Sequence, residues 1–127
     1  MRGEKLAASF LKRLGYRILA RGHRQKLGEV DLIALDGKVI VFVEVKTWQH
    51  SGASDPSQAG DPSQAVDATK QERLTRAALI YLKRRNLIEQ PARFDVISIV
   101  ISSDGSRPKI RHFVNAFEAV GKWQMFR

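Results

Sequence analysis

Residues 29–46 read Glu-Val-Asp-Leu-Ile-Ala-Leu, then Asp-Gly, then Lys-Val-Ile-Val-Phe-Val-Glu-Val-Lys. Two β-branched and aromatic runs joined by Asp-Gly form the strongest short-range hairpin signal. The pattern predicts strands over residues 29–35 and 38–46, with Asp36-Gly37 as a two-residue turn. In that register Leu35 faces Lys38, Asp31 faces Phe42 and Glu29 faces Glu44. Facing residues of an antiparallel pair share one side of the sheet. One side then holds Val30, Leu32 and Ala34 against Val39, Val41, Val43 and Val45, a wholly apolar core surface. The other holds Glu29, Asp31, Ile33 and Leu35 against Ile40, Phe42, Glu44 and Lys46. Asp31 and Glu44 become diagonal neighbours, roughly 7–8 Å apart at the backbone. Glu29 and Glu44 become opposed like charges, which destabilise a sheet unless a cation or lysine compensates them. A binding site accounts for that arrangement better than stability does.

These residue types suit one reaction. A hard divalent cation such as Mg²⁺ or Mn²⁺ takes one or two protein carboxylates, keeps waters and accepts substrate phosphate. Asp31 and Glu44 supply the carboxylates, and the intervening Val45 offers a backbone carbonyl. Lys46, on the same face as Glu44, can position or deprotonate the attacking water of phosphodiester hydrolysis. The bland counterpart is a salt-bridge cluster on a solvated sheet face. Glu29 is a further metal ligand, a group supporting the ligands, or an edge residue turned to water.

Charge points the same way. Lys and Arg number 22 against 13 Asp and Glu, a formal net charge of +9. Basicity of this size suits a polyanionic partner, and nucleic acid is the commonest. Basic residues crowd the first segment, including Arg24 and Lys26, and a later helix that carries Lys70 and Arg73. These four are the candidate nucleic-acid contacts, although Lys70 reads equally well as a solvated lysine on a basic helix. Acids clustered in a basic protein repel phosphate unless a cation bridges them. A chain with no cysteine excludes disulfides and thiolate metal sites. No run approaches the ~20 apolar residues of a membrane span, and the N-terminus lacks the apolar block of a signal peptide. A cytoplasmic location, with nucleoid association compatible, is the expectation.

Around the hairpin, residues 2–14 form an amphipathic pattern that Gly15 stops. A strand is expected from Tyr16 to about Arg24. Residues 49–63 are a Ser/Gly/Asp/Pro-rich loop with a tandem copy of Asp-Pro-Ser-Gln-Ala at Asp55 and Asp61. A helix over residues 63–85 follows, capped by Asp61 or Ser63. Residues 94–101 read as a core strand, 109–113 as a shorter edge strand, and Asn115 as the cap of a final short helix. The order is α-β-β-β-α-β-β-α, a mixed α+β (α/β) sheet flanked by helices in one domain over residues 1–127. His23, His50 and His112 show no ligand spacing. Trp48 either stacks on a base or caps the core edge, with packing favoured, and Asp95 should pair with an arginine.

The run Gly28-Glu29-Val30-Asp31-Leu32-Ile33-Ala34, with Val41-Phe42-Val43-Glu44-Val45-Lys46, resembles the YraN-like family of uncharacterised bacterial proteins. Gly3-Glu4, Gly15-Tyr16, the helix around Lys70 and Arg93-Phe94-Asp95-Val96 extend the likeness over nearly the whole chain. That family is similar to the archaeal Holliday-junction resolvases and to the PD-(D/E)xK nucleases. The resemblance implies a restriction-endonuclease-like fold and metal-dependent cleavage of DNA rather than RNA, with branched structures the candidate substrate. It makes Asp31 the motif aspartate, Glu44 and Lys46 the (D/E)xK pair, and Glu4 the first-helix acid that completes the metal site. Glu4 equally reads as an acid satisfying the helix N-terminus. Val30 stands where the superfamily has proline, Trp48 where an arginine is often found, and no asparagine lies near Gly22 or His23. The competing function is a non-catalytic nucleic-acid-binding accessory on the same fold. A homodimer is compatible with either.

Overall fold

The computed structural model describes residues 2–22, 29–50 and 66–119. Helix α1 spans Arg2–Arg13, strand β1 Arg17–Arg21, β2 Leu32–Asp36 and β3 Val39–His50. Helix α2 spans Ala68–Arg84, followed by β4 Ala92–Ser102 and β5 Lys109–Phe117. The five strands form one mixed sheet in the order β1-β2-β3-β4-β5. Only β3 and β4 run parallel; the antiparallel neighbours are joined by tighter connections, and α2 supplies the crossover a parallel pair needs.

Alternation along β2 and β3 divides the sheet into two apolar faces. Leu32, Ala34, Val41 and Val43 pack with Ile97 and Ile99 beneath Ala7, Ala8 and Leu11 of α1. Ile33, Ile40, Phe42, Phe94 and Val96 pack beneath Leu74, Ala78, Tyr81 and Leu82 of α2. Both faces are therefore core. The face expected to carry the acids is apolar near the hairpin turn and polar only toward its open end. Val30 departs from its expected side and joins the α2 cluster, because β2 begins only at Leu32.

The expected hairpin register is corrected by one step on each strand. Asp36 pairs with Val39, Leu35 with Ile40 and Leu32 with Val43, so Gly37-Lys38 is the turn. Gly37 has φ 61° whereas Lys38 is not among the positive-φ residues, the II′ pattern with glycine first. The shift moves every pairing yet leaves each side chain from Leu32 to Asp36, and along β3, on its predicted face.

Other boundaries also moved. Helix α2 starts after Asp67, whose Oδ1 accepts the Lys70 backbone N–H at 2.8 Å. The expected caps Asp61 and Ser63 lie outside the described residues, as do both Asp-Pro-Ser-Gln-Ala copies. Asn115 caps no helix: it sits within β5 at φ 54°, beside a register irregularity between Phe94 and Val96.

That irregularity serves a buried ionic cluster on the α1 side. Asp95 is 0% exposed. It accepts Arg93 Nε at 2.9 Å, the Asn115 backbone N–H at 2.9 Å, and lies 2.8 Å from His112 Nε2. Arg93 also reaches Asp36 at 3.1 Å and the Tyr16 hydroxyl at 2.8 Å. Asp95 thus pairs with its near neighbour Arg93, and His112, read as incidental, is a structural partner of it. Burial by itself raises the Asp95 carboxyl, but hydrogen bonds from His112, Arg93 and Asn115 outweigh it and hold the group below its ordinary value. Removing one member of such a cluster strands the others' polarity in the core. Asp95→Ala should therefore lower unfolding stability by about 3–5 kcal/mol, measured by urea denaturation at neutral pH.

Candidate active site

The corrected register has a chemical consequence. Continued one residue past Leu32↔Val43, it sets Asp31 directly across from Glu44 instead of diagonally. Asp31 sits in the bend that opens β2, half-buried. Its Oδ2 accepts the Val45 backbone N–H at 2.7 Å, which anchors the carboxylate against β3. Val45, expected to matter through its carbonyl, is seen to act through its amide. Glu29 does not oppose Glu44 as expected: it lies two residues farther out and is drawn toward α2.

Glu44 is 4% exposed. Burial first, and then a hydrogen bond to Asp31 and its negative charge, push the Glu44 carboxyl up to about 8. Two carboxyl groups this close cannot both ionise cheaply, so at neutral pH Glu44 retains a proton shared toward Asp31. Lys70 pulls in the other direction. Its Nζ lies 2.9 Å from Glu29 Oε2 and 3.3 Å from Glu44 Oε2. Arg73 adds a longer contact to Glu29 at 3.5 Å. The Lys70 hydrogen bond is the main cause that lowers the Glu29 carboxyl. Burial disfavours the Lys70 ammonium, but its bonds to Glu29 and Glu44 raise its pKa overall. The Asp67 cap places Lys70 in the first turn of α2, where the helix dipole adds positive potential over the acids.

The remaining predicted residues fall as follows. Lys46 follows Glu44 on the α2 face of β3, half-buried, with no ion pair or hydrogen bond among the described residues. Glu4 is buried in the first turn of α1, the helix whose Ala7, Ala8 and Leu11 pack on the other face of the sheet. The start of α1 lies close to the end of β3, since a Cβ on Gly3 would collide with the Thr47 hydroxyl. Among the described residues no group of three or more His, Asp or Glu gathers at metal-holding distance. The structure thus brings together Asp31, Glu44, Glu29, Lys70 and Arg73, leaves Lys46 alongside, and buries Glu4 on α1. Arg24 and Lys26 lie outside the described residues. Lys70 and Arg73, the other candidate nucleic-acid contacts, form ion pairs with Glu29, and Lys70 also with Glu44. Sequence reasoning marked Lys70 as a candidate nucleic-acid contact but did not find its bridge between Glu29 and Glu44. That bridge depends on where the helix begins.

Comparison with known proteins now bears on the same residues. The model of the family described as "Uncharacterised protein family UPF0102" matches residues 3–99. The chain belongs to this family. The match runs from α1 through most of β4, and so contains every residue of the cluster. A UPF0102 protein of Geobacter sulfurreducens is 48% identical over 118 residues, covering 93% of this chain and 87% of the relative. One from Symbiobacterium thermophilum is 48% identical over 117 residues, with 92% and 93% covered. A Rhodopirellula baltica relative is 44% identical over 123 residues, with 94% and 70% covered. The YraN-like resemblance read from the hairpin is thereby established at the level of family.

The raised Glu44 carboxyl makes a pH test. Between about 4.5 and about 8 the folded chain holds a proton at Glu44 that the unfolded chain has released, so stability falls as pH rises through this window. Glu44→Gln mimics the protonated form and escapes that loss. In metal-free buffer its melting temperature relative to wild type should rise between pH 5 and pH 9. A difference that stays flat with pH would show that Glu44 titrates normally.

Proposed function

We propose that this chain is a metal-dependent DNA endonuclease whose site is Asp31, Glu44 and Lys46. The observation that carries the reading is the pair Asp31 and Glu44, held face to face beside an apolar core, with a cation already bridging Glu44 and Glu29. Such a pair costs stability, and a basic protein has no use for it in simple phosphate binding. The Lys70 ammonium supports a cation-accepting position there, because it is itself a cation lodged among carboxylates. Oxygen-only donors of this kind suit Mg²⁺ or Mn²⁺. Asp31 and Glu44 would hold the ion, with the Val45 carbonyl, Glu29 and Glu4 as further candidates. A bound divalent cation would offset phosphate charge and make water a better nucleophile at neutral pH.

The chain's own groups then have defined tasks. The Val45 amide fixes the Asp31 carboxylate, leaving its second oxygen for the site. Glu44 must give up its shared proton when a cation is taken, so ion binding strengthens as pH rises toward 8. Lys46 positions or deprotonates the attacking water. Lys70 must leave Glu44 for the ion to enter.

A second reading has one observation in its favour. Lys70 and Arg73 already balance the acids, as a non-catalytic DNA-binding accessory would require. Calorimetry with Mn²⁺ and a cleavage assay on single-stranded, duplex and branched DNA separate the two. Asp31→Asn and Glu44→Gln should each weaken Mn²⁺ binding by about ten-fold or more, whereas Lys70→Met should strengthen it. Lys46→Ala should lower the cleavage rate by about 10²–10⁴ at saturating DNA and metal. DNA binding without cleavage by the wild type would decide for the accessory reading.

A further inference from the structure

Beyond the acid pair, the α2 face of the sheet carries a second pattern that only strand register reveals. Glu44 is level with Val96 on β4 and Phe113 on β5. The next row outward is Lys46, Ser98 and Arg111, and the row after it is Trp48, Val100 and Lys109. Paired residues on neighbouring strands share a face, so three cations and an indole occupy one side of three adjacent strands. Strands lie ~4.8 Å apart, which puts the Lys46 and Arg111 backbones roughly 10 Å apart with Ser98 between them. Arg111 and Lys109 are exposed. The Arg111 guanidinium leans over the Phe113 ring at 4.9 Å, back toward the row of Glu44. Trp48 is 37% exposed.

Ser98 supplies a second, independent observation. It is 3% exposed, and its hydroxyl has no hydrogen-bond partner among the described residues. A buried polar group left unpaired costs about 1–3 kcal/mol and asks for an explanation. Here it is the short residue at the centre of a cationic row, flanked by two long side chains that can swing aside. A phosphate drawn between Lys46 and Arg111 would give that hydroxyl an acceptor.

We propose that the Lys46–Ser98–Arg111 and Trp48–Val100–Lys109 rows are the track for the substrate strand, and that this strand is single-stranded there. Phosphates lie along the first row, next to Glu44, while an unpaired base stacks on Trp48. Base–aromatic stacking needs a base free of its own duplex stack, so the chemistry selects a single strand or the unpaired arm of a branch. This inference rests on the nuclease reading for what the track delivers, but not for its existence.

The test reads binding without cleavage. The chain has two tryptophans, Trp48 and Trp123, so the full-length Trp123→Phe protein reports on Trp48 alone. It is titrated in EDTA with a short oligothymidine and with a blunt duplex of equal length. The single strand should quench Trp48 emission and the duplex should not. Trp48→Ala should weaken single-strand binding by about ten-fold or more. Arg111→Ala and Lys109→Ala should each lower the salt slope by about one. Ser98→Ala should raise the melting temperature, since an unpaired hydroxyl is removed, while weakening single-strand affinity. Trp48→Ala that leaves single-strand affinity unchanged, or that reduces single-strand and duplex affinity equally, would overturn the proposal. Absence of cleavage by the wild type would instead count against the nuclease reading and leave the EDTA result standing.

Discussion

One hydrogen bond sets the geometry on which the candidate site depends: the Val45 amide donating to Asp31 Oδ2. It ties the residue that opens β2 to the strand that carries Glu44 and Lys46. With that contact made, Asp31 lies opposite Glu44, where its hydrogen bond and negative charge add to burial in pushing the Glu44 carboxyl up. An apolar residue at position 31 would leave an ordinary hairpin. The cost of the pairing is carried by the rest of the sheet, where both faces of β2 and β3 are packed against helices.

The two ionic clusters use similar residue types with opposite results. On the α1 side, Asp95 is surrounded by donors from Arg93, His112 and Asn115, and every strong group has a partner. Its carboxyl is driven down and the cluster acts as a clamp joining β4, β5 and the segment after α1. On the α2 side, Glu44 faces another carboxyl with one lysine at 3.3 Å. Its carboxyl is driven up. A protein selected only for stability would have resolved the second cluster in the manner of the first. The difference is the physical ground for seeking function at Glu44 and structure at Asp95.

Helix α2 links the core to this chemistry. Its apolar stripe seals Phe42, Phe94 and Val96, while its capped first turn hangs Lys70 over Glu29 and Glu44. Any movement of the Lys70 ammonium alters the charge seen by both acids without disturbing the packed turns behind it. On the exposed side of the same face, the register of β3, β4 and β5 continues the acidic row into a basic one. Acid and base therefore sit in adjacent rows of one surface, not on separate parts of the molecule.

Much of this was legible in the residues alone. Alternation in 29–46 assigned each side chain of the hairpin to a face, and those assignments survive for Ile33, Phe42, Glu44 and Lys46 because side chains repeat every two residues. A register changed by one step on each strand preserves that parity. What alternation could not give was the partner. Whether Asp31 meets Phe42 or Glu44 depends on whether Asp36 or Gly37 opens the turn, which is settled by backbone dihedrals and strand length. In the same way, acidic and basic residues marked Glu29, Lys70 and Asp95 as notable. Their partners, among them His112 at 17 and Lys70 at 41 residues' separation, come from packing two helices on a sheet. Local periodicity fixes which side a residue faces, whereas only the assembled sheet decides what stands across from it.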